Sequence, residues 1–214
     1  MSNKDFTDLY IRCYPGVKNE MVMRANSDDL NGRFARDDQV VEGALHSFAW
    51  VIFTKEDNIL YFPETYGRVV TVTMYDMWNN VRAIFNRSGQ YLLSIPNAAA
   101  GILIASVECK NASDEQEYQM AFDVLQDLYI MDIGVGTNDY EDSLTLVPDA
   151  GDLTRENPEE ISGKEFFAIA SAVHRYNPFP VQNLKYRDLL QKTMTMSGPQ
   201  LDVIKKLALA KMKN

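Results

Sequence analysis

Residues 45–96 read LHSFAWVIFTKEDNILYFPETYGRVVTVTMYDMWNNVRAIFNRSGQYLLSIP. Their β-branched and aromatic residues fall into short runs, such as Ala49–Thr54 and Arg68–Tyr75, that are separated by polar or Gly- and Pro-containing turns. Further candidate strands lie at 59–62, 91–95 and 102–107. Strands joined by short turns pair antiparallel, because parallel pairing needs a long crossover. We therefore predict an α+β fold with a central antiparallel β-sheet over about residues 45–107, flanked by N-terminal and C-terminal helices.

Helical patterns lie on both sides of this stretch. Asp5 can cap a first helix, which Pro15-Gly16 is expected to interrupt. After the strands, Ser113–Gln116 fits a capping box, and the apolar stripe behind it runs to Tyr129. These patterns predict one helix before the sheet, in two parts, and another directly after it.

The C-terminal part of the chain is also helical by its pattern. Ser162 opens a helix that Asn177–Pro180 ends, and two shorter helices follow at 184–190 and 199–212. We predict one domain over residues 1–198 and a C-terminal helical tail at 199–214.

The tail carries an apolar stripe at five positions: Leu201, Ile204, Leu207, Ala208 and Met212. Such a stripe packs either on the core of its own chain or on another molecule. The sequence leaves both alternatives open.

Composition excludes several classes of protein. The 214 residues carry a formal net charge of −9, which disfavours a nucleic-acid partner. The two cysteines, Cys13 and Cys109, are isolated, so neither a disulfide scaffold nor a zinc cluster is indicated. The longest apolar stretch, residues 98–107, is far shorter than the ~20 residues of a membrane helix. No signal peptide is visible at the N-terminus, and we expect a soluble, acidic, cytoplasmic protein.

Several short motifs, in a constant order, resemble the DUF1254 domain family. They are Leu9–Pro15, Leu45–Trp50, Pro63, Tyr66–Arg68, Tyr75–Asn79, Arg87-x-Gly89, Tyr91–Leu93, Leu125–Tyr129 and Phe167–Pro178. The resemblance spans most of residues 9–200 and implies a family known by its fold, without an assigned reaction. In longer relatives this domain precedes a DUF1214 β-sandwich domain.

The chain departs from the family pattern in two places. Relatives carry an Asn-x-Asp-Thr segment where this chain reads Glu42-Gly43-Ala44, which indicates the loss of a polar cluster. The sequence also stops at Asn214, about where the DUF1214 domain would begin, so it is interpreted as a short member of the family.

Six residues in the best-matched region are candidates for binding a ligand: Tyr66, Arg68, Tyr75, Asp76, Trp78 and Arg87. Asp76 and Arg87 are predicted to lie near the ends of adjacent strands, where an Arg–carboxylate fork holds a turn or orients an acidic ligand. The aromatic members either line a pocket or belong to the core. Whether these aromatic residues line a pocket or belong to the core stays open at this point.

The sequence contains few motifs that could form a catalytic or metal-binding site. The two histidines, His46 and His174, are far apart in sequence, and His46 and Ser47 point to opposite faces of a strand, so no triad is indicated. Ser27–Asp38 echoes a calcium loop, but its first and last ligands are wrong. We predict no metal site and no cofactor.

Two hypotheses about function follow. The first is a non-catalytic interaction or assembly module, with self-association or a protein partner. The alternative is a small-molecule-binding protein or enzyme with an aromatic and arginine-lined pocket beside the sheet. The sequence names no catalytic residue and leaves an enzymatic role open.

Overall fold

The computed structural model describes residues 2–25, 34–53, 58–132, 157–180 and 185–213. They form an α+β fold with antiparallel sheets, which confirms the predicted class. The chain divides into two compact units. A helical unit contains residues 1–27, 77–79 and 139–214, and a sheet unit contains residues 28–76 and 80–138. None of the helices in the described ranges has the length and apolar character needed to cross a membrane.

The described helices are α1 (Asn3–Ala25), α2 (Glu115–Gln126), α3 (Gly163–Tyr176), α4 (Lys185–Thr193) and α5 (Gly198–Met212). The strands are β1 (Ala35–Val41), β2 (Ala44–Ile52), β3 (Asn58–Phe62), β4 (Val70–Asp76), β5 (Val81–Phe85), β6 (Gly89–Leu93), β7 (Ala100–Glu108) and β8 (Tyr129–Asp132).

The strands form two sheets, where the sequence predicted one. A five-stranded sheet has the order β1-β2-β7-β4-β5, and a three-stranded sheet has the order β6-β3-β8. Every neighbouring pair is antiparallel. Because β6 pairs with β3 and not with β5, the chain leaves the first sheet at the turn after Phe85.

Five predicted strands correspond to β2, β3, β4, β6 and β7. The sequence missed the other three, each for a physical reason. β1 is largely polar, and Arg82 interrupts the short apolar run of β5. Tyr129 was placed on the stripe of α2, but that helix ends at Gln126, and Tyr129 begins β8.

The core of the sheet unit lies between the inner faces of both sheets and α2. In β4 the burial alternates strictly, so that Val70, Val72 and Met74 point inward. They meet Leu103, Ala105 and Val107 of β7, Leu60 and Phe62 of β3, and Ala121, Val124 and Leu125 of α2. The two sheets therefore share one hydrophobic core.

Helix α1 is continuous through Pro15, which corrects the predicted interruption. A proline inside a helix removes one backbone hydrogen bond, and a following glycine adds a further penalty. Here Gly16 is needed for packing, because a Cβ atom at this position would lie 2.4 Å from the Trp78 ring. Buried apolar residues from Phe6 to Met23 compensate for both weak positions.

Side-chain caps start α2 and α3, although not always with the predicted residue. Asp114 caps α2 by accepting hydrogen bonds from the Gln116 and Glu117 N–H groups, so the predicted Ser113 is displaced by one position. Asp5 lies in the first turn of α1 and accepts a hydrogen bond from the Ser2 N–H, and does not precede the helix. The predicted Ser162 cap of α3 is confirmed, with Glu165 completing the capping box.

Helix α5 packs on its own unit, which decides between the two alternatives for the tail. Leu201, Ile204 and Ala208 are buried, and α5 contacts α1 and α3. Lys211 of α5 forms an ion pair with Asp8 of α1 at 2.7 Å. Of the predicted stripe, only Leu207 and Met212 remain exposed.

The glycines that open α3 and α5 provide a matched test of this packing. A Cβ atom at Gly163 would lie 2.5 Å from the carbonyl carbon and oxygen of Leu201, whereas one at Gly198 would meet no atom within 4 Å. We expect Gly163→Ala to lower the free energy of unfolding by about 1–3 kcal/mol, as overpacking does. Gly198→Ala is expected to change it by less than about 0.5 kcal/mol. Urea unfolding followed by circular dichroism measures both, and equal stabilities would contradict the close α3–α5 contact.

Candidate functional site

A tight turn at Thr65–Arg68 begins a cleft of the sheet unit. The Arg68 N–H donates to the Thr65 carbonyl at 3.0 Å, and φ is positive at both central residues, +51° at Tyr66 and +83° at Gly67. A tyrosine rarely adopts this conformation, which glycine adopts freely. The turn leaves the Tyr66 side chain 85% exposed.

Arg68 binds Glu117 of α2 through a two-pronged ion pair. Its Nη1 and Nη2 donate to the Glu117 Oε1 and Oε2 atoms, both at 2.9 Å. Nη1 also donates to the Glu108 carbonyl at 3.0 Å, and the Lys110 N–H donates to Glu117 Oε1 at 3.1 Å. Charge-assisted bonds of this geometry are among the stronger hydrogen bonds of proteins. The fork ties the turn before β4 to α2 and to the end of β7.

The cleft around this fork has a volume of about 360 Å³. It is lined by Tyr66, Gly67, Arg68, Glu108, Lys110, Glu117, Met120, Asp123, Val124 and Asp127. The Lys110 ammonium lies 3.5 Å from the Glu108 carboxylate, so both basic residues of the lining have acidic neighbours. Because both Arg68 terminal nitrogens already donate to protein oxygens, the cleft is poorly suited to an anionic ligand.

The fork also sets the protonation of the groups around it. The hydrogen bond from Arg68, followed by that from the Lys110 N–H, lowers the pKa of Glu117 from about 4.5 to about 2. The same hydrogen bond raises the pKa of Arg68. Burial, followed by the nearby Glu117 charge, raises the pKa of the Cys109 thiol, so this cysteine is not an activated nucleophile.

Of the six predicted site residues, only Tyr66 and Arg68 line this cleft. Tyr75 is half-buried in β4, on the opposite side of the strand from Val72 and Met74. Asp76 is buried and accepts hydrogen bonds from the Asn80 side chain and from Arg82, whose Nη2 lies 2.7 Å away.

The structure does not place Arg87 beside Asp76. In the antiparallel β4–β5 pair, Tyr75 lies opposite Val81, whereas Phe85 lies opposite Val72. Asp76 therefore stands at one end of the hairpin, and Arg87 follows the other end. The predicted ion pair between Asp76 and Arg87 is therefore wrong. The basic partner of Asp76 is Arg82.

Trp78 is a core residue of the helical unit and not a pocket residue. Its indole Nε1 donates to the Asn177 carbonyl at 2.8 Å, and its ring lies 4.4 Å from the Phe179 ring, centroid to centroid. The side chain is almost entirely buried. The aromatic residues singled out in the sequence are thus divided between separate environments.

The two histidines lie in different elements, His46 in β2 and His174 in α3. Ser47 is buried while His46 is only partly buried, which confirms that the two point to opposite faces of β2. His174 Nδ1 accepts a hydrogen bond from the Phe179 N–H at 3.1 Å, and burial lowers its pKa. No group of three His, Cys, Asp or Glu residues is arranged to hold a metal ion within the described ranges. The calcium-like loop at 27–38 falls mainly outside those ranges.

The outward face of the three-stranded sheet, which we call the β3 face, is apolar. It consists of Ile59 and Tyr61 of β3, Gln90 and Leu92 of β6, and Tyr129 and Met131 of β8. The pairing aligns Leu92, Ile59 and Met131 in one row, and Gln90, Tyr61 and Tyr129 in the next. Leu92 is 60% exposed, and Met131 is 41% exposed.

Sequence reasoning missed this surface, although one signal was present. Residues 59–62 read ILYF, a continuous apolar run that is typical of a strand covered on both faces. The run was interpreted as an ordinary strand of a single sheet. Because the predicted helix runs to Tyr129, strand β8 was not predicted, and β8 supplies Tyr129 and Met131 to this surface.

No protein-family model matches the sequence, and no curated protein matches it. Among solved structures, the chain is similar to the VPA0106 protein from Vibrio parahaemolyticus, with a TM-score of 0.64 and 15% sequence identity. The alignment covers 98% of this chain and 58% of that chain. At this identity the likeness shows a shared fold, and this chain spans a little over half the length of that protein.

The lowered pKa of Glu117 predicts how stability depends on pH. A carboxylate whose pKa falls on folding stabilises the fold above its unfolded pKa, and the stabilisation is lost as the pH falls through the folded value. We expect Glu117→Gln to be less stable than the wild type at pH 7 and the difference to shrink between about pH 4.5 and pH 2. The midpoints of urea unfolding, measured from pH 7 to pH 2, test this expectation. The Glu115→Gln variant, changed at an exposed position of the same helix, is the control. A constant difference from pH 7 to pH 2 would contradict the ionised fork.

Proposed function

We propose that this chain is a non-catalytic interaction or assembly module related to the DUF1254 family. The observation that carries the proposal is the apolar β3 face. An antiparallel sheet with one side in water normally places polar residues on that side. Five of the six outward positions here are apolar, and a contiguous apolar surface of this kind marks a contact with another molecule.

The cleft at Arg68 supports an enzymatic function less well than the β3 face supports an interaction role. Arg68 and Glu117 already bind each other, and the cleft lining holds no histidine, serine or cysteine that can act as a nucleophile. A small-molecule-binding role is the second candidate, because the cleft volume lies in the usual range for ligand sites and Tyr66 is exposed at its edge.

The family assignment is proposed from the motifs in the sequence. The similar Vibrio protein extends well beyond the region matched by this chain, as expected if longer relatives carry a further domain. At the departure from the family pattern, Glu42 and Gly43 form a tight turn between β1 and β2, with φ of +54° and +78°. A tight hairpin turn at this point supports the view that the polar segment of the relatives has been lost.

Two methionines of nearly equal exposure test the interaction role. Met131 lies on the β3 face and is 41% exposed, whereas Met120 lies at the cleft and is 43% exposed. If a partner covers the β3 face, we expect peroxide to oxidise Met131 much more slowly than Met120 in the cells that naturally contain the protein. Mass spectrometry of the tryptic peptides measures both rates.

Protein unfolded in urea provides the control, because both methionines are then open to the oxidant. Equal oxidation of Met131 and Met120 in cells would contradict an interaction through the β3 face. Protection of Met120 alone would favour the small-molecule alternative at the cleft.

A further inference from the structure

We propose that the β3 face packs against the β3 face of a second copy of this chain, so that two three-stranded sheets meet face to face in a symmetric dimer. The inference rests on the proposed role as an interaction module and names the partner of that surface.

The charge of the β3 face favours a second copy as its occupant. None of its six residues is Asp, Glu, Lys, Arg or His, while the whole chain carries a formal charge of −9. Two copies of such an acidic protein repel each other, and the repulsion is smallest where the contact surface carries no charge. A partner selected by charge, such as a basic protein, would find no carboxylate on this face to bind.

The shape of the face also suits a symmetric contact. A two-fold axis makes the same patch meet itself, which requires a surface that is complementary to its own copy. Sheet faces meet this requirement in β-sandwiches, where two sheets pack about 10 Å apart with interdigitating side chains. The Tyr61 and Tyr129 rings are already stacked, with centroids 4.8 Å apart, so little side-chain freedom is lost on contact.

The outward face of the five-stranded sheet is more mixed in character. Ile84 of β5 is 61% exposed, but its neighbour across the strand pair is Thr73. The adjacent row of that sheet holds Thr71, Ser106 and His46 in register. The same face also carries Ile104, which is 39% exposed, and Trp50 and Ile102, which are each 6% exposed, so polar and apolar residues are mixed on it.

Leu92 and Ile84 therefore form a matched pair for the test. Both lie on edge strands with nearly equal exposure, so lysine at either position leaves the core unchanged and alters the net charge equally. Light scattering behind size-exclusion chromatography gives the mass of the full chain, of Leu92→Lys and of Ile84→Lys over a range of concentrations. Met131→Lys serves as a second variant on the β3 face, and thermal melts verify that each protein is folded.

We expect the wild type and Ile84→Lys to approach twice the 24.3 kDa mass of one chain as the concentration rises. Leu92→Lys and Met131→Lys should raise the dissociation constant of the dimer at least about tenfold, because the symmetry brings each new charge into the contact twice. A wild type that stays at one chain mass overturns the inference. So does a dimer that survives both variants of the β3 face, or one that Ile84→Lys disrupts equally.

Failure of this inference is distinguishable from failure of the proposed function. If the purified chain is monomeric but Met131 is protected in cells, another molecule covers the β3 face, and only the second copy is excluded. If the purified chain is monomeric and Met131 is oxidised as fast as Met120 in cells, both proposals fail.

Discussion

Strand β7 is the constraint on which the sheet unit depends. All nine of its residues pair with β2, and seven of them also pair with β4, so its backbone is fixed on both sides. Its inward side chains Leu103, Ala105 and Val107 lie in the core. Where the strand ends, the Glu108 carbonyl accepts a hydrogen bond from Arg68, and the Lys110 N–H donates to Glu117. The cleft is therefore a consequence of where β7 stops.

The Arg68–Glu117 fork illustrates why a conspicuous arginine need not be a ligand-binding residue. A guanidinium has five donors in a fixed plane, and three of those of Arg68, at both terminal nitrogens, are directed at protein oxygens. The fork joins the turn before β4 to α2, elements that are far apart in sequence. Its chemistry thus favours a structural role, which agrees with the proposal that the protein works through surfaces.

The two sheets differ in what they present to the outside. The five-stranded sheet mixes threonine, serine and histidine with its apolar residues, whereas the β3 face is apolar at five of six positions. Both sheets contribute their inner faces to the same core. A strand such as β3 has apolar residues on both faces. Exposing the outward ones to water costs free energy, and contact with another apolar surface removes that cost.

The sequence by itself determined the properties that depend on neighbouring residues. Alternation and β-branched runs located five strands, and Ser162 marked the start of α3. Partners distant in sequence were decided only by the tertiary structure, because strand register and helix packing are set by the whole core. The strand register placed Asp76 beside Arg82 and not beside Arg87, and the burial of apolar residues from Phe6 to Met23 kept α1 continuous through Pro15. The β3 face likewise exists only once three separate strands have paired, so the apolar run at 59–62 was its one local signal and could not show which strands complete it.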